Sequence, residues 1–305
     1  MNATIGETAM PFQFILCDVF ADRPLAGNQL AVFPDGTALP ADVMAALAQE
    51  FGWSEITFVL PRDAEVPRVR IWTPEGELPF AGHPTIGTAV VLAVNGVLPP
   101  SGGTLELGAG EVEVEVTNLS PAGGRATMTQ RTPTFGTGFP DRERLARALS
   151  LSEPDLAPDL PAQVVSTGAE HFMVPLATLE ALGRVRPVSK LFTSIASEVG
   201  MRRFYVFTVD TPGSSAAARA RLIGVAREDA ATGSAAGPLG AYLVHYGLHR
   251  AGALDIEQGI EMGRPSRIAV DVSMIANTLG PVRVSGNVHI WGQGTIEVAM
   301  AETVA

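Results

Sequence analysis

The chain has 305 residues, 46% of them apolar, and a formal net charge of −11 from 21 basic and 32 acidic side chains. That length predicts two domains of ordinary size, and the negative charge, with no basic cluster, argues against non-specific nucleic-acid binding and docking on anionic membranes. A single cysteine, Cys17, excludes an internal disulfide and a cysteine-rich metal site, and no run approaches the roughly 20 apolar residues of a membrane-spanning helix.

The opening stretch MNATIGETAMPFQF lacks the basic-then-apolar pattern of a secretory signal, so a cytoplasmic location is expected. Phe12 to Phe20 (FQFILCDVF) has the composition of a strand, with Cys17 a small core residue in it. A loop over 21–28 leads to a second strand, Leu30 to Phe33. Ala41 to Phe51 is spaced as an amphipathic helix, and Gly52 ends it. Ser54 to Leu60 (SEITFVL) alternates and is β-branched, which predicts a strand carrying one carboxylate, Glu55. Arg68 to Trp72 is the next strand, and residues 73–79, with two prolines and a glycine, predict irregular backbone.

From Thr85, residues Ile86, Ala89, Val90, Leu92, Ala93 and Val94 are apolar on nearly every face, the pattern of a helix buried all round. Pro84 is expected as its first residue, where a missing N–H costs nothing, and Gly96 as its stop. Ala81-Gly82-His83 then forms the helix mouth, with unpaired N–H groups and the positive dipole end facing outward. Strands at 104–107, 111–117 and 125–130 complete this half.

A boundary is expected near RTPTFGTG (131–138), giving domains 1–132 and 133–305, with the last strand able to pack on the first domain. Helices are predicted at 141–149, 176–182 and 188–199, and strands at 163–166, 171–175, 204–209 and 221–226. A turn over 228–234 leads to a second apolar helix, Ala235 to Tyr246, stopped by Gly247. Strands at 267–272, 282–285, 287–291 and 295–300 follow. At an offset of 150 residues, 81–83 falls on 231–233, Gly87 on Gly237 and Leu92 on Tyr242. Alternating stretches, 105–116 and 254–262, follow each helix. The chain thus reads as a duplicated α+β half, strands wrapped round one buried helix, and a pseudo-twofold brings the two mouths together at an interface suited to a ligand cleft.

Glu55 is either a solvent-facing residue between inward ones or a general acid/base whose pKa burial raises toward neutrality. Asp229 is either a carboxylate satisfying helix-start donors or a site group, and His83 either caps its helix or serves the site. Ser234, taken alone, is better read as a helix cap. The surrounding ATGSAAG is no nucleophile elbow, because Thr232 stands where G-x-S-x-G needs glycine, and it is neither a dinucleotide fingerprint nor a phosphate loop. His245 and His249 have a zinc-compatible spacing, but Gly247 between them and the lack of an HExxH pattern argue against a metal site. Asn28 and His171 are weaker candidates, each opening the matching strand of its half.

The segments DVFADRPLAGNQLAVF, SEITFV, TPEGELPFAGHPTIGTA and EDAATGSAAGPLGAYL resemble the motifs of the PhzF family, the phenazine-biosynthesis isomerase-like proteins, in order from about residue 13 to residue 298. The resemblance implies the diaminopimelate epimerase fold, two similar α+β domains, each a barrel-like sheet round a central helix. It implies Glu55 as the proton-shuttling acid/base, with His83, Asp229 and Ser234 lining the same cleft. Gly82 and Gly233 are implied to give backbone N–H groups to a substrate carboxylate, and Asn28 is added to the expected substrate contacts. Ala81 and Ala231 stand where diaminopimelate epimerases and proline racemases carry cysteines, so two-thiol racemisation is unavailable. Ala230 departs from the proline common in the family's E-D-P-A-T-G-S run. The expected function is a cofactor-independent isomerase that shifts a proton on a small carboxylate-bearing substrate, with no metal, and the resemblance implies a homodimer. The alternatives are a non-cysteine racemase or epimerase pairing Glu55 with His83 or Asp229, and a non-catalytic small-anion-binding protein.

Overall fold

The structure is a computed structural model and describes residues 8–60 and 66–300. The first half contains β1 (Thr8–Val19), β2 (Asn28–Phe33), α1 (Ala41–Phe51), β3 (Ile56–Leu60), β4 (Arg68–Thr73) and the short β5 (Gly76–Leu78). Helix α2 (Gly82–Val94) precedes β6 (Gly102–Leu107), β7 (Gly110–Ser120) and β8 (Gly123–Gln130). The second half starts with β9 (Thr134–Gly138), α3 (Arg142–Ala148), β10 (Gln163–Ser166), β11 (Glu170–Pro175), α4 (Leu179–Arg184) and α5 (Ser189–Glu198). It continues through β12 (Phe204–Thr208), β13 (Ala218–Ile223), β14 (Glu228–Asp229) and α6 (Gly233–His245) to β15 (Gly252–Gln258), β16 (Ser266–Ile275) and β17 (Thr278–Met300).

The two halves obey one pairing scheme. β2–β3 and β11–β12 are parallel, while β3–β4 and β12–β13 are antiparallel. β4–β6 and β13–β15 are parallel pairs, each reached by a crossover through an apolar helix. In the first half, β17, β1, β2, β3, β4, β6, β7 and β8 close into an eight-stranded barrel. Every α2 residue from Gly82 to Ala93 is buried, and so is α6 from Gly233 to Leu243 apart from Ser234. A helix without a polar face is stable in water only when strands cover it on all sides, and this fixes the α+β architecture of two pseudo-symmetric halves.

Several expectations are corrected. Helix α2 starts at Gly82, two residues before Pro84, because the first N–H groups of any helix lack intrahelical partners and proline is tolerated at its third position as well. Helix α6 starts at Gly233, so the repeat offset at the helices is 151: Gly82 answers to Gly233, and His83 to Ser234. Residues 73–79 are ordered as the β4–β5 hairpin. Thr73 pairs with Gly76, and Thr73 Oγ1 accepts the N–H groups of Glu75 and Gly76, both at 3.1 Å. Part of the expected boundary at 131–138 is strand β9, paired with β10. The three strands expected after residue 282 are one strand, β17, pairing first with β16 and β8 and then with β1.

Candidate active site

The starts of α2 and α6 touch. A Cβ on Gly82 would lie 2.7 Å from the Ser234 nitrogen and 3.1 Å from Gly233 Cα, so the approach requires glycine. Two apolar helices thus bring their positive dipole ends to one point.

Glu55 stands beside this junction. Gly52, left-handed at φ 62°, ends α1, and β3 begins at Ile56, so Glu55 immediately precedes the strand in which it was expected. Its side chain is 14% exposed, which disposes of the solvent-facing alternative. Glu55 Oε2 is buried without a hydrogen-bond partner and lies 3.5 Å from His83 Nδ1. Burial, and then the negative charge of Asp229, push the Glu55 pKa up to about 8.

His83 is buried, with Nε2 3.3 Å from the Gln29 carbonyl and Nδ1 3.2 Å from the Asn28 amide nitrogen. A carbonyl only accepts, so Nε2 carries the hydrogen, and the Nδ1 lone pair is left facing Glu55 because both Asn28 amide hydrogens go to Asp229 and Ala231. Desolvation lowers the His83 pKa to about 4 against the opposing pull of Asp229, leaving a neutral imidazole.

Asp229 is the hub of the polar network. Its Oδ1 accepts from Asn28 Nδ2 at 2.9 Å and from Ser54 Oγ at 2.7 Å, and its Oδ2 accepts from Thr232 Oγ1 at 2.5 Å. Asn28 also donates to the Ala231 carbonyl at 2.9 Å, tying the first half to the second. Beneath them Gln258, fully buried, donates to the Asp229 carbonyl and to Thr232 Oγ1 and accepts from the Thr232 N–H and the Tyr205 hydroxyl. Ser234 Oγ lies 3.1 Å from His171 Nε2, and burial lowers the His171 pKa to about 4.

A cavity of about 820 Å³ opens over these groups, with Glu55, Ala81, His171, Asp229, Thr232 and Ser234 on its wall. Asn28, Gly82, His83 and Gly233 are not on that wall; they stand behind it, against Asp229, Ser234 and Glu55. Asn28, Glu55, His83 and the segment carrying Asp229 and Ser234 come from four separate stretches of sequence and are gathered here. The histidines read as a zinc-compatible pair have other roles: His245 stacks on Phe135 at 4.2 Å, and His249 Nδ1 meets the Arg250 carbonyl at 2.7 Å.

Sequence reasoning missed Ser54 and Gln258, and Arg203, which also lies on the cavity wall. Gln258 had a signal, since it continues the inward phase of Leu254 and Ile256 with a polar side chain. Arg203 had none in its own segment, where it is one of two adjacent arginines.

A family model for phenazine biosynthesis-like proteins matches residues 17–296. The chain belongs to that family. The trans-2,3-dihydro-3-hydroxyanthranilate isomerase of Pseudomonas fluorescens is 35% identical over 288 residues, covering 93% of this chain and 98% of its own. The crystal structure of a PhzF-family phenazine biosynthesis protein from Bacillus anthracis aligns with TM-score 0.84 and 26% identity, over 95% of this chain and all of the other. A probable proline racemase from Agrobacterium radiobacter, 13% identical, shares the fold alone, with TM-score 0.63 over 93% of this chain and 92% of its own. The family and epimerase-like fold expected from the motifs are therefore met, and this phenazine biosynthesis-like protein is an isomerase.

Proposed function

We propose that this isomerase moves a proton between two carbons of a small carboxylate-bearing substrate, with Glu55 as the shuttle. The observation that carries the reading is Glu55 Oε2, buried beside the cavity with no hydrogen-bond partner. A buried unpartnered carboxyl is costly, and its retention where it titrates near neutrality favours a chemical role.

The substrate carboxylate takes its place on the cavity wall at Ala81 and Ser234, with the starts of α2 and α6 at Gly82 and Gly233 directly behind, where each helix dipole contributes roughly 0.3–1 kcal/mol, up to ~2 when partly buried. The Glu55 carboxylate then removes a proton from a neighbouring carbon. The C–H electron pair moves along a conjugated double bond, and Glu55 returns the proton to the carbon at its far end. Atoms and charge balance without a further reactant. His83, neutral and aimed at Glu55, offers the protonated acid a lone pair and no competing charge. Asp229, with both oxygens already hydrogen-bonded, acts through its charge by keeping Glu55 basic and through its hold on Asn28, Ser54 and Thr232.

A racemase with two opposed bases is less well supported, because Glu55 and His83 lie side by side rather than across a substrate. The division into domains 1–132 and 133–305, with the cavity between them, and assembly as a homodimer belong to the same reading. Limited proteolysis and sedimentation velocity test them.

The deciding experiment follows trans-2,3-dihydro-3-hydroxyanthranilate, and other conjugated cyclic acids, by proton NMR in deuterium oxide. Glu55→Gln is expected to lower turnover by about 10²–10⁴-fold with the fold intact. Full turnover by that variant removes Glu55 from the mechanism. Deuterium entering a stereocentre without double-bond migration replaces the reading with epimerisation.

A further inference from the structure

Arg203, on the cavity wall, makes no hydrogen bond or ion pair with the groups of the proton shuttle. Arg203 immediately precedes β12 as Glu55 immediately precedes β3, and both strands run parallel to the second strand of their own half's opening hairpin. The repeat therefore sets an acid and a base at matching positions on one cavity.

Four other shielded arginines have carboxylate partners: Arg70 with Glu77, Arg221 with Glu228, Arg264 with Asp18 and Arg267 with Asp255. On the cavity rim Arg227 lies 3.9 Å from Glu75. Arg203 is half-buried, and among the described residues its guanidinium has no hydrogen-bond or ion-pair partner. The fold nevertheless makes room for it. A Cβ on Gly224 would lie 3.2 Å from Arg203 Cγ, so glycine there accommodates the stem. The charge reaches the reacting end of the cavity, where it opposes the rise in the Glu55 pKa and contributes to the fall in that of His171. At about 820 Å³ the cavity is near the top of the roughly 300–1,000 Å³ range of drug-sized ligand pockets, more than a one-ring monoacid fills.

We propose that Arg203 selects substrates with a second carboxylate, held by its guanidinium while the first occupies the helix starts. A planar guanidinium can take a carboxylate through two parallel N–H···O bonds, and pairing it inside a shielded cavity gains more than pairing it in water. This specificity rests on the helix-start anion site proposed above.

The test is calorimetric titration of wild type, Arg203→Gln and Arg203→Lys with benzoate, phthalate, isophthalate and terephthalate. At least one diacid is expected to bind wild type about tenfold to a hundredfold more tightly than benzoate. Arg203→Gln abolishes that margin, bringing the diacid to the affinity the same variant has for benzoate, while Arg203→Lys retains part of it. Equal binding of benzoate and all three diacids to wild type, or a margin that survives Arg203→Gln, overturns the role of Arg203 alone. Failure of all four acids to bind wild type overturns the anion site and the diacid specificity together. Thermal melts of both variants establish that they are folded, as expected for a side chain without protein partners.

Discussion

Glu55 Oε2 stands 3.5 Å from His83 Nδ1, close enough for an ion pair, yet burial drives both groups away from their charged forms. Glu55 is pushed up to about 8 and His83 down to about 4, so at neutral pH a carboxylic acid faces a neutral imidazole. The protonation states, rather than the separation, define this contact: it is a poised proton donor beside a lone pair.

The rate should report that poise. Proton abstraction needs the Glu55 carboxylate, so kcat/KM is expected to rise with pH through about 8 and level off above it. Asp229→Asn removes a charge that raises the Glu55 pKa and should move the inflection to lower pH. A flat profile in both proteins over about pH 6 to 9 contradicts the assignment.

Stability should change with pH in the opposite sense. The folded-state pKa of Glu55 is raised from 4.5, so folding favours its protonated form. That contribution is complete below about 4.5 and is lost as pH rises toward 8. His83 runs the other way, contributing above 6.5 and losing that contribution as pH falls through about 4. Glu55→Gln should therefore be near neutral in thermal melts at acidic pH and stabilising above pH 8, on the order of a few kcal/mol. Equal melting shifts at both extremes would show that Glu55 is not buried as described.

At the helix junction, Gly82→Ala forces a methyl group to within 2.7 Å of the Ser234 nitrogen. The expected cost is about 1–3 kcal/mol of stability, with loss of carboxylate binding at the parted helix starts. Gly96→Ala is the control: φ is +71° with nothing within 4 Å, so it costs about 1–2 kcal/mol from backbone strain but leaves binding unchanged. Denaturant melts paired with benzoate titration separate the two effects.

Gln258→Leu keeps approximate volume but strips the Asp229 carbonyl, the Thr232 N–H and the Tyr205 hydroxyl of their partner. Each buried orphan costs about 1–3 kcal/mol. Because the Thr232 arm of Asp229 loosens as well, the pH inflection of kcat/KM should move along with the melting temperature. A change in melting temperature alone would assign Gln258 to the core and not to the site.

Much of this was legible in the residues. The bounds of α1 follow from its apolar spacing and from Gly52, and the two buried helices from their lack of a polar face. The breaks expected within 73–79, 131–138 and 282–300 fall at glycines and prolines that serve turns and packing inside continuous pairing. In β17, a Cβ on Gly294 would lie 2.6 Å from the Phe14 ring, and Gly280 and Pro281 fall where the pairing with β16 changes register. Pro74 supplies a hairpin turn. The hydrogen bonds joining Asn28 and Ser54 to Asp229 were not readable, because sequence separations of 201 and 175 residues carry no local periodicity.

The single length of β17 has a consequence for how the molecule is made. Its residues 288–300 supply the neighbour of β1, and residues 282–289 that of β8. The barrel whose strands are translated first therefore stays one stave short until residues 282–300 have left the ribosome. Closing it joins segments more than 250 positions apart, a topology that folds slowly and exposes unpaired strand edges while it waits.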